Sequence, residues 1–445
     1  MKSGISLPIK FHWTLRGFFT AILVFSCFCS AIRIELGSVG ITVTHLLMPV
    51  ILLYLIGQTL LRSDKFFIYV DAISILLYTI WFISILATIL HSGFPIRSIT
   101  GAINLTSFVI LYILSRQIMS YINPVSLVKT LLKSMFMSVY IGLASLAVAL
   151  VSGATNLGAT FDHVSSNNIS TIVKAIPSIR SLSIEPNLFG IITATVLSIY
   201  LAIYLTWDRS NKMLIGILVL CSALILSYTR SAFIGLAIST IGMAVVSKQW
   251  KILARTFQHG ILLALSIVLL IIMLPEESSF KQVISYKLGS GMFDLSSGTA
   301  IPRLVAFEES INGFRKNPII GNGIFAANNV FVNPHTQEVT GTAGPIGWLN
   351  GLFIQALHDS GIFGLLSWLL LFFLLFYLNY KLFRKIPPSF ERSILLGFIG
   401  GNMVIMIGSQ ASSVVWISFP YVFWAINLAF IKYYQLKSSN LKVCE

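Results

Sequence analysis

Arginine stands in apolar surroundings at several places in this sequence. Arg180 lies in RSLSIEPNLFG, and Arg230 lies in SYTRSAFIGL, with long apolar runs on both sides. Arg303 opens IPRLVAFEESINGFRKNPIIGNGIF, which also carries Arg315 and Lys316. An arginine presents a planar, permanently charged fork that donates two parallel hydrogen bonds, so a group of them suits phosphate. Glu185 follows Arg180 within the same stretch. These residue types fit a site that grips a lipid-held pyrophosphate near a membrane surface. Blander readings stand beside this one. An arginine at a helix end often only snorkels to the interface. Arg180 and Glu185 also fit a local ion pair at a helix start, and Arg315 with Lys316 fits a solvated face.

Other chemistries find no motif. The seven histidines are scattered, and none forms an HExxH-type pair. LGSG at 288–291 is not followed by Lys-Ser/Thr, and no GxSxG elbow occurs. Cys27, Cys29, Cys221 and Cys444 form neither a CxxC metal pattern nor a disulfide framework. No metal and no cofactor is expected. Acidic residues are sparse within the apolar runs, which argues against a proton- or sodium-coupled carrier. Asp71, near the start of its helix, reads as interfacial.

Any such site must be positioned by membrane helices. The chain of 445 residues is 56% hydrophobic and 10% charged, with mean hydropathy +0.87. Long apolar runs recur from end to end, so the expected fold class is an all-α polytopic membrane protein with about twelve transmembrane helices. These are placed near 17–34, 41–61, 67–90, 99–115, 131–152, 187–206, 213–228, 231–247, 258–274, 351–379, 393–409 and 412–431. The first reads as a retained span rather than a removed signal peptide. Two connections are long, 153–186 and 275–350. The second contains a helix-like piece and Gly-rich turns, and is expected to be a partly helical outer loop. The organisation that follows is 1–152 (helices one to five), 153–186 (outer loop), 187–274 (helices six to nine), 275–350 (long outer loop), 351–431 (helices ten to twelve) and 432–445 (tail).

The net charge of +15 does not imply nucleic acid, because Lys and Arg lie between apolar runs rather than in one patch. Placing both termini in the cytoplasm puts most of the 30 positive residues in inner segments. Arg180, Arg230, Arg303 and Arg315 then share the outer side. Residues 213–247 would measure about 52 Å as one helix. That is too long for one crossing of a ~30 Å core and short for two. Two short spans would leave the turn before Arg230 recessed, where an arginine is costly unless it meets an anion.

Three segments resemble the O-antigen polymerase and ligase family of membrane glycosyltransferases. They are RSLSIEPNLFGIITA, LILSYTRSAFIGLAI, and RLVAFEESINGFRKNPIIGNGIF followed by NGLFIQALHDSGIFGLLSWLLL. Their order and spacing span roughly residues 170 to 380. The resemblance implies a GT-C-like helical fold in the bacterial inner membrane. It also implies transfer of a glycan from an undecaprenyl-diphosphate carrier to an acceptor sugar on the outer face, without a metal. Arg180, Arg230 and Arg303 would hold the pyrophosphate, Glu185 or His335 would be the base, and Arg315 and Asn350 would contact substrate. The implied partners are the lipid-linked oligosaccharide, membrane lipids, a chain-length regulator and a flippase. Ligases of the family carry a His-Asn pair at the start of the tenth helix. Here that place reads Asn350-Gly351, so the resemblance implies a polymerase of O-antigen, capsule or exopolysaccharide. His358, beside Asp359, reads as structural. The alternatives are a ligase that delivers finished glycan to lipid A core or another acceptor and, in a different class, a twelve-helix transporter. A transporter predicts internal repeats and broken mid-membrane helices.

Overall fold

The computed structural model describes residues 14–36, 39–62, 70–152, 156–160, 178–250, 254, 269, 273, 301–327, 330–332, 339–342, 349, 351–412 and 414–442. Among the described residues the helices are α1 (Leu15–Ser26), α2 (Val43–Arg62), α3 (Ala72–His91), α4 (Pro95–Met119), α5 (Pro124–Ser152) and α6 (Pro186–Thr206). They continue with α7 (Asn211–Leu226), α8 (Arg230–Ser247), α9 (Ile301–Lys316), α10 (Leu352–Lys385), α11 (Phe390–Gly408) and α12 (Ser418–Lys442). Eight of these are long and apolar enough to cross a membrane, and α1 and α7 are shorter apolar helices. The chain is a multi-pass membrane protein. Of the expected span at 258–274, all but residues 269 and 273 lie outside the described residues. Every other expected span has a helical counterpart. α9 is not a span but the helix-like piece expected in the long loop.

Two expectations are corrected. The first helix does not run to residue 34. It stops at Ser26, and Arg33–Leu36 (β1) pairs antiparallel with Val39–Thr42 (β2). The order Arg33-Ile34-Glu35-Leu36 alternates polar and apolar residues, a period of two that suits a strand and not a helix. Two further antiparallel pairs lie in connections, Ala159–Thr160 (β3) with Ser178–Ile179 (β4) and Val330–Val332 (β5) with Val339–Thr342 (β6). The body is therefore helical, but the connections are not all-α. The tenth expected helix is also not one continuous rod, because Gly361 breaks α10.

α6 forms the centre. It is apolar on all sides and buried along almost its whole length, as expected of a helix enclosed by others. α7, α8 and α11 pack around it. Small residues let α11 come close. A Cβ added at Gly397 would lie 2.7 Å from Ile199 Cα, and one at Gly408 would lie 2.9 Å from Ile191 Cγ1. Lipid supplies no hydrophobic drive between membrane helices, so close packing of this kind carries their association.

A buried polar pair ties α10 to α12. Asn379 Nδ2 donates to Asn427 Oδ1 at 2.9 Å, and Asn427 Nδ2 donates back to Asn379 Oδ1 at 2.9 Å. Asn427→Leu strands the Asn379 amide away from water. Its expected cost is about 1–2 kcal/mol, read as a lower melting temperature in detergent. The Asn379→Leu/Asn427→Leu double variant should melt above either single one, because no buried amide is then left unpaired.

Candidate functional site

The segment leading into α6 is pinned before the helix begins. Ala31 N–H donates to Leu182 O at 2.7 Å, and Ile184 N–H donates to Ser30 Oγ at 3.2 Å. Ser181 is buried, donates to Ser138 O, and meets Ser138 Oγ at 2.9 Å. Ser138 is on α5, which continues to Ser152, about 21 Å farther at 1.5 Å per residue. The Arg180 segment thus folds down along α5, well below that helix's end.

Arg180 is held by backbone. Its Nη2 donates to Asn156 O at 2.9 Å, its Nε to Leu157 O at 3.0 Å and its Nη1 to Ile184 O at 3.3 Å. The local ion pair with Glu185 considered from the sequence is not what positions it. Three of the five guanidinium N–H groups are engaged, and the rest remain to donate. Partial burial pulls the Arg180 pKa below the usual arginine value. Such a cation, partly removed from water, would be relieved by an anion.

Arg230 arrives from the other side. α7 and α8 have 16 and 18 residues. α7, at roughly 24 Å, falls short of a ~30 Å hydrocarbon core, and α8, at roughly 27 Å, stands at the short limit of a crossing. The turn between them sits on the first turn of α6, where Thr229 Oγ1 donates to Pro186 O at 3.0 Å. Gly190 leaves no room for a Cβ beneath Thr229 and Ser227. This latch places the start of α8 beside the start of α6. Arg230 is the first residue of α8 and is exposed. A cation at a helix N-terminus opposes the helix dipole, which favours anions there. Neither Glu185 before α6 nor Thr229 before α8 caps its helix with its side chain. Two helix N-termini without side-chain caps therefore lie side by side, with Arg180 in the segment before one and Arg230 opening the other, an arrangement that suits an anion such as phosphate.

Glu185 stands at the entrance to α6. It is surface-accessible yet crowded by protein, and that desolvation pushes its carboxyl above the ordinary carboxylate range, with the Arg33 charge opposing. A carboxylate shifted upward in this way is a better proton acceptor than a solvated one.

α9 and the turn after it interlock with α10. Gly361 has φ 62° and ψ −158°, a conformation essentially restricted to glycine. The helix breaks there, and the freed backbone groups find partners in the turn. Asn322 N–H donates to His358 O and Gly323 N–H to Asp359 O, both at 3.0 Å. Ile362 N–H donates to Pro318 O at 2.9 Å. Non-helical backbone in a membrane protein is tolerated where protein satisfies it in this way. Asp359 gathers three donors: Phe325 N–H at 3.1 Å, Gln355 Nε2 at 2.9 Å and His358 Nδ1 at 2.7 Å. His358 is buried and lies against Gly313 of α9, so it acts as a structural clamp. His91 Nδ1 meets Gly321 O at 2.9 Å, which docks the turn on the end of α3.

α9 rests on the first turns of α10 through Ser310 Oγ, which donates to Ile354 O at 2.7 Å. Leu352 N–H in turn donates to Ser409 O at 2.8 Å, at the end of α11. α11 packs on α6 and α8, so α9 belongs to the same end of the bundle as Arg180 and Arg230. Arg303 is on the first turn of α9, and its side chain lies outside the described residues. Arg315 is exposed on the last turn. His335 and Asn350 also lie outside the described residues.

Strain concentrates here. Among the described non-glycine residues, Ser181, Tyr228, Lys248 and Phe325 have positive φ. Ser181 adjoins Arg180, Tyr228 lies just before Arg230, and Phe325 belongs to the turn threaded into α10. Left-handed conformations of this kind cost of order 1–3 kcal/mol each and cluster at functional sites. Sequence reasoning missed the Thr229 latch and the roles of Asn322, Gln355 and Asp359. The only available signal was the glycine spacing around them.

Residues 215–369, roughly a third of the chain, match the family model described as O-Antigen ligase. The segment includes Arg230, α9 and the broken part of α10, and stops short of Arg180 and Glu185. It bears out the resemblance to O-antigen ligases and polymerases. No curated protein matches the chain significantly.

Proposed function

We propose that this membrane protein, with its O-antigen ligase segment, is a polysaccharide polymerase. It moves a glycan from an undecaprenyl-diphosphate carrier onto an acceptor sugar at the outer face of the bacterial inner membrane. What supports the reading is the Thr229–Pro186 bond, which holds two helix N-termini without side-chain caps side by side, with Arg180 before one and Arg230 at the other. Such pre-placed positive groups stabilise charge as it develops on a departing pyrophosphate. The acceptor hydroxyl attacks the anomeric carbon and gives its proton to Glu185, the bond from that carbon to the diphosphate oxygen breaks, and the lipid diphosphate leaves. Arg303, on the first turn of α9, is the third member of this cation set, Arg315 and Asn350 contact the glycan, and His335 is the second candidate base. A chain-length regulator and a flippase are its expected partners, and both termini lie in the cytoplasm.

A ligase reading is favoured by the description of the matched family, and a polymerase reading by Asn350-Gly351 where ligases carry a His-Asn pair. Reconstitution in liposomes with lipid-linked repeat units decides between them. Longer lipid-linked chains mark the polymerase, and glycan attached only to added lipid A core marks the ligase. If neither product forms under conditions where a known polymerase works, the proposal fails.

The same assay tests the base. A base must be deprotonated, so the rate should rise with pH through the raised Glu185 pKa, above the ordinary carboxylate range. Arg33→Ala removes the opposing charge and should move that ascending limb to higher pH. Glu185→Gln should lower the rate about 10²–10⁴-fold and flatten the limb. An unchanged limb in both variants would remove Glu185 from the role.

A further inference from the structure

The opposite end of the bundle, where α3 begins and α4 and α12 approach their ends, carries a charged cluster that this chemistry does not use. Asp71 caps α3, with Oδ1 accepting from Ser74 N–H at 2.9 Å and from Ser74 Oγ at 3.0 Å. Its Oδ2 lies 2.9 Å from Nη2 of Arg116, whose side chain is only 4% exposed. Arg116 Nη1 donates to Tyr112 Oη at 2.9 Å. Asp71 thus fixes a buried cation in one orientation.

Two cavities flank Arg116. The larger, about 430 Å³, has Leu378 and Leu428 in its walls and Asp71, Arg116, Lys432 and Gln435 around it. The smaller, about 120 Å³, shares Arg116 and Lys432. The larger volume falls within the ~300–1,000 Å³ typical of small-ligand sites. Its lining combines an apolar wall with two cations and one carboxylate, a formal charge of +1 from Arg116, Lys432 and Asp71. A basic pocket between membrane helices at their ends is the kind of place that takes a lipid head group.

We propose that this groove holds one anionic phospholipid. Its phosphate diester sits between Arg116 and Lys432, and the upper part of its acyl chains lies against Leu378 and Leu428. The site is separate from Arg180 and Arg230 and does not depend on the glycan-transfer reading. A lipid bound there joins α3, α4, α10 and α12.

The test is native mass spectrometry of the full-length, delipidated protein titrated with phosphatidylglycerol, phosphatidylcholine or a polyprenyl monophosphate. One phosphatidylglycerol should be retained at a concentration at least tenfold lower than phosphatidylcholine. Lys432→Glu should raise the phosphatidylglycerol concentration needed at least tenfold, Lys432→Arg less than threefold, and Lys129→Glu, an exposed control at the same end, not at all. Gln435→Glu answers the question if Lys432→Glu is not monodisperse, again with a tenfold loss expected. Equal retention of the two phospholipids overturns the proposal. So does unchanged retention in the charge variants, and so does tighter binding of the polyprenyl monophosphate.

Discussion

Arg230→Ala is expected to lower glycan transfer about 10²–10³-fold, the usual cost of losing one pre-placed charge-stabilising group, with the amount of protein in the membrane unchanged. The residue is exposed and opens α8, so its loss leaves no cavity in the core. Activity should therefore fall far more than stability, which a purely structural arginine would not produce. Arg230→Lys should recover only part of the rate, because the ammonium keeps the charge but loses the two-pronged geometry. Chain-length ladders of surface polysaccharide, run beside a quantitative membrane blot and a detergent melt, read both quantities. Ladders that persist unchanged in Arg230→Ala and Arg180→Ala would remove the arginines from pyrophosphate binding.

Gly361→Ala is expected to be, with Gly321→Ala, among the most damaging single methyl groups in the described part of the chain. The backbone conformation there is glycine-only, and an added Cβ would lie 2.5 Å from Ile319 O and 2.8 Å from Gly321 N. Both neighbours are backbone, so no side chain can swing aside. The strain and the clash together should cost about 3–5 kcal/mol. The measurement is the detergent melt, with trypsin cleavage between α9 and α10 as a local reading. Gly57→Ala is the matched control. Its added Cβ meets nothing within 4 Å, and alanine is favoured over glycine in a helix by up to about 1 kcal/mol. A Gly361→Ala protein that melts with the wild type would mean that the break in α10 is not required.

The helices were legible because each apolar run must satisfy its own backbone in lipid, and length alone then places it. The two short helices around Arg230 were legible for the same reason: residues 213–247 are few for two crossings, and the structure gives α7 and α8 there. What stayed hidden depends on contacts between distant segments. The Thr229–Pro186 bond joins residues far apart in sequence, and nothing in SYTRS announces it. Arg180 followed by Glu185 suggests an ion pair, yet the guanidinium goes to three carbonyl oxygens, and carbonyls leave no trace in a sequence. Gly361 sits in a recognisable glycine pattern, but the pattern does not say that the chain reverses its φ there. The β1–β2 pair was absorbed into the first span because residues 17–34 read as one apolar run up to Arg33. Its period-two alternation was the overlooked sign.

The depth of the Arg180 segment beneath the end of α5 bears on how a lipid-held substrate is handled. Drawing a hydrocarbon chain out of the bilayer costs about 0.8 kcal/mol per methylene. A floor at the outer surface would require a carrier lipid to rise by several carbons before its diphosphate could dock. On the proposed function, an Arg180 segment set below the end of α5 would let the carrier enter sideways from its own leaflet with its tail still solvated by lipid. Its search would then be two-dimensional, and the binding energy of the arginines would be left for the bond that breaks.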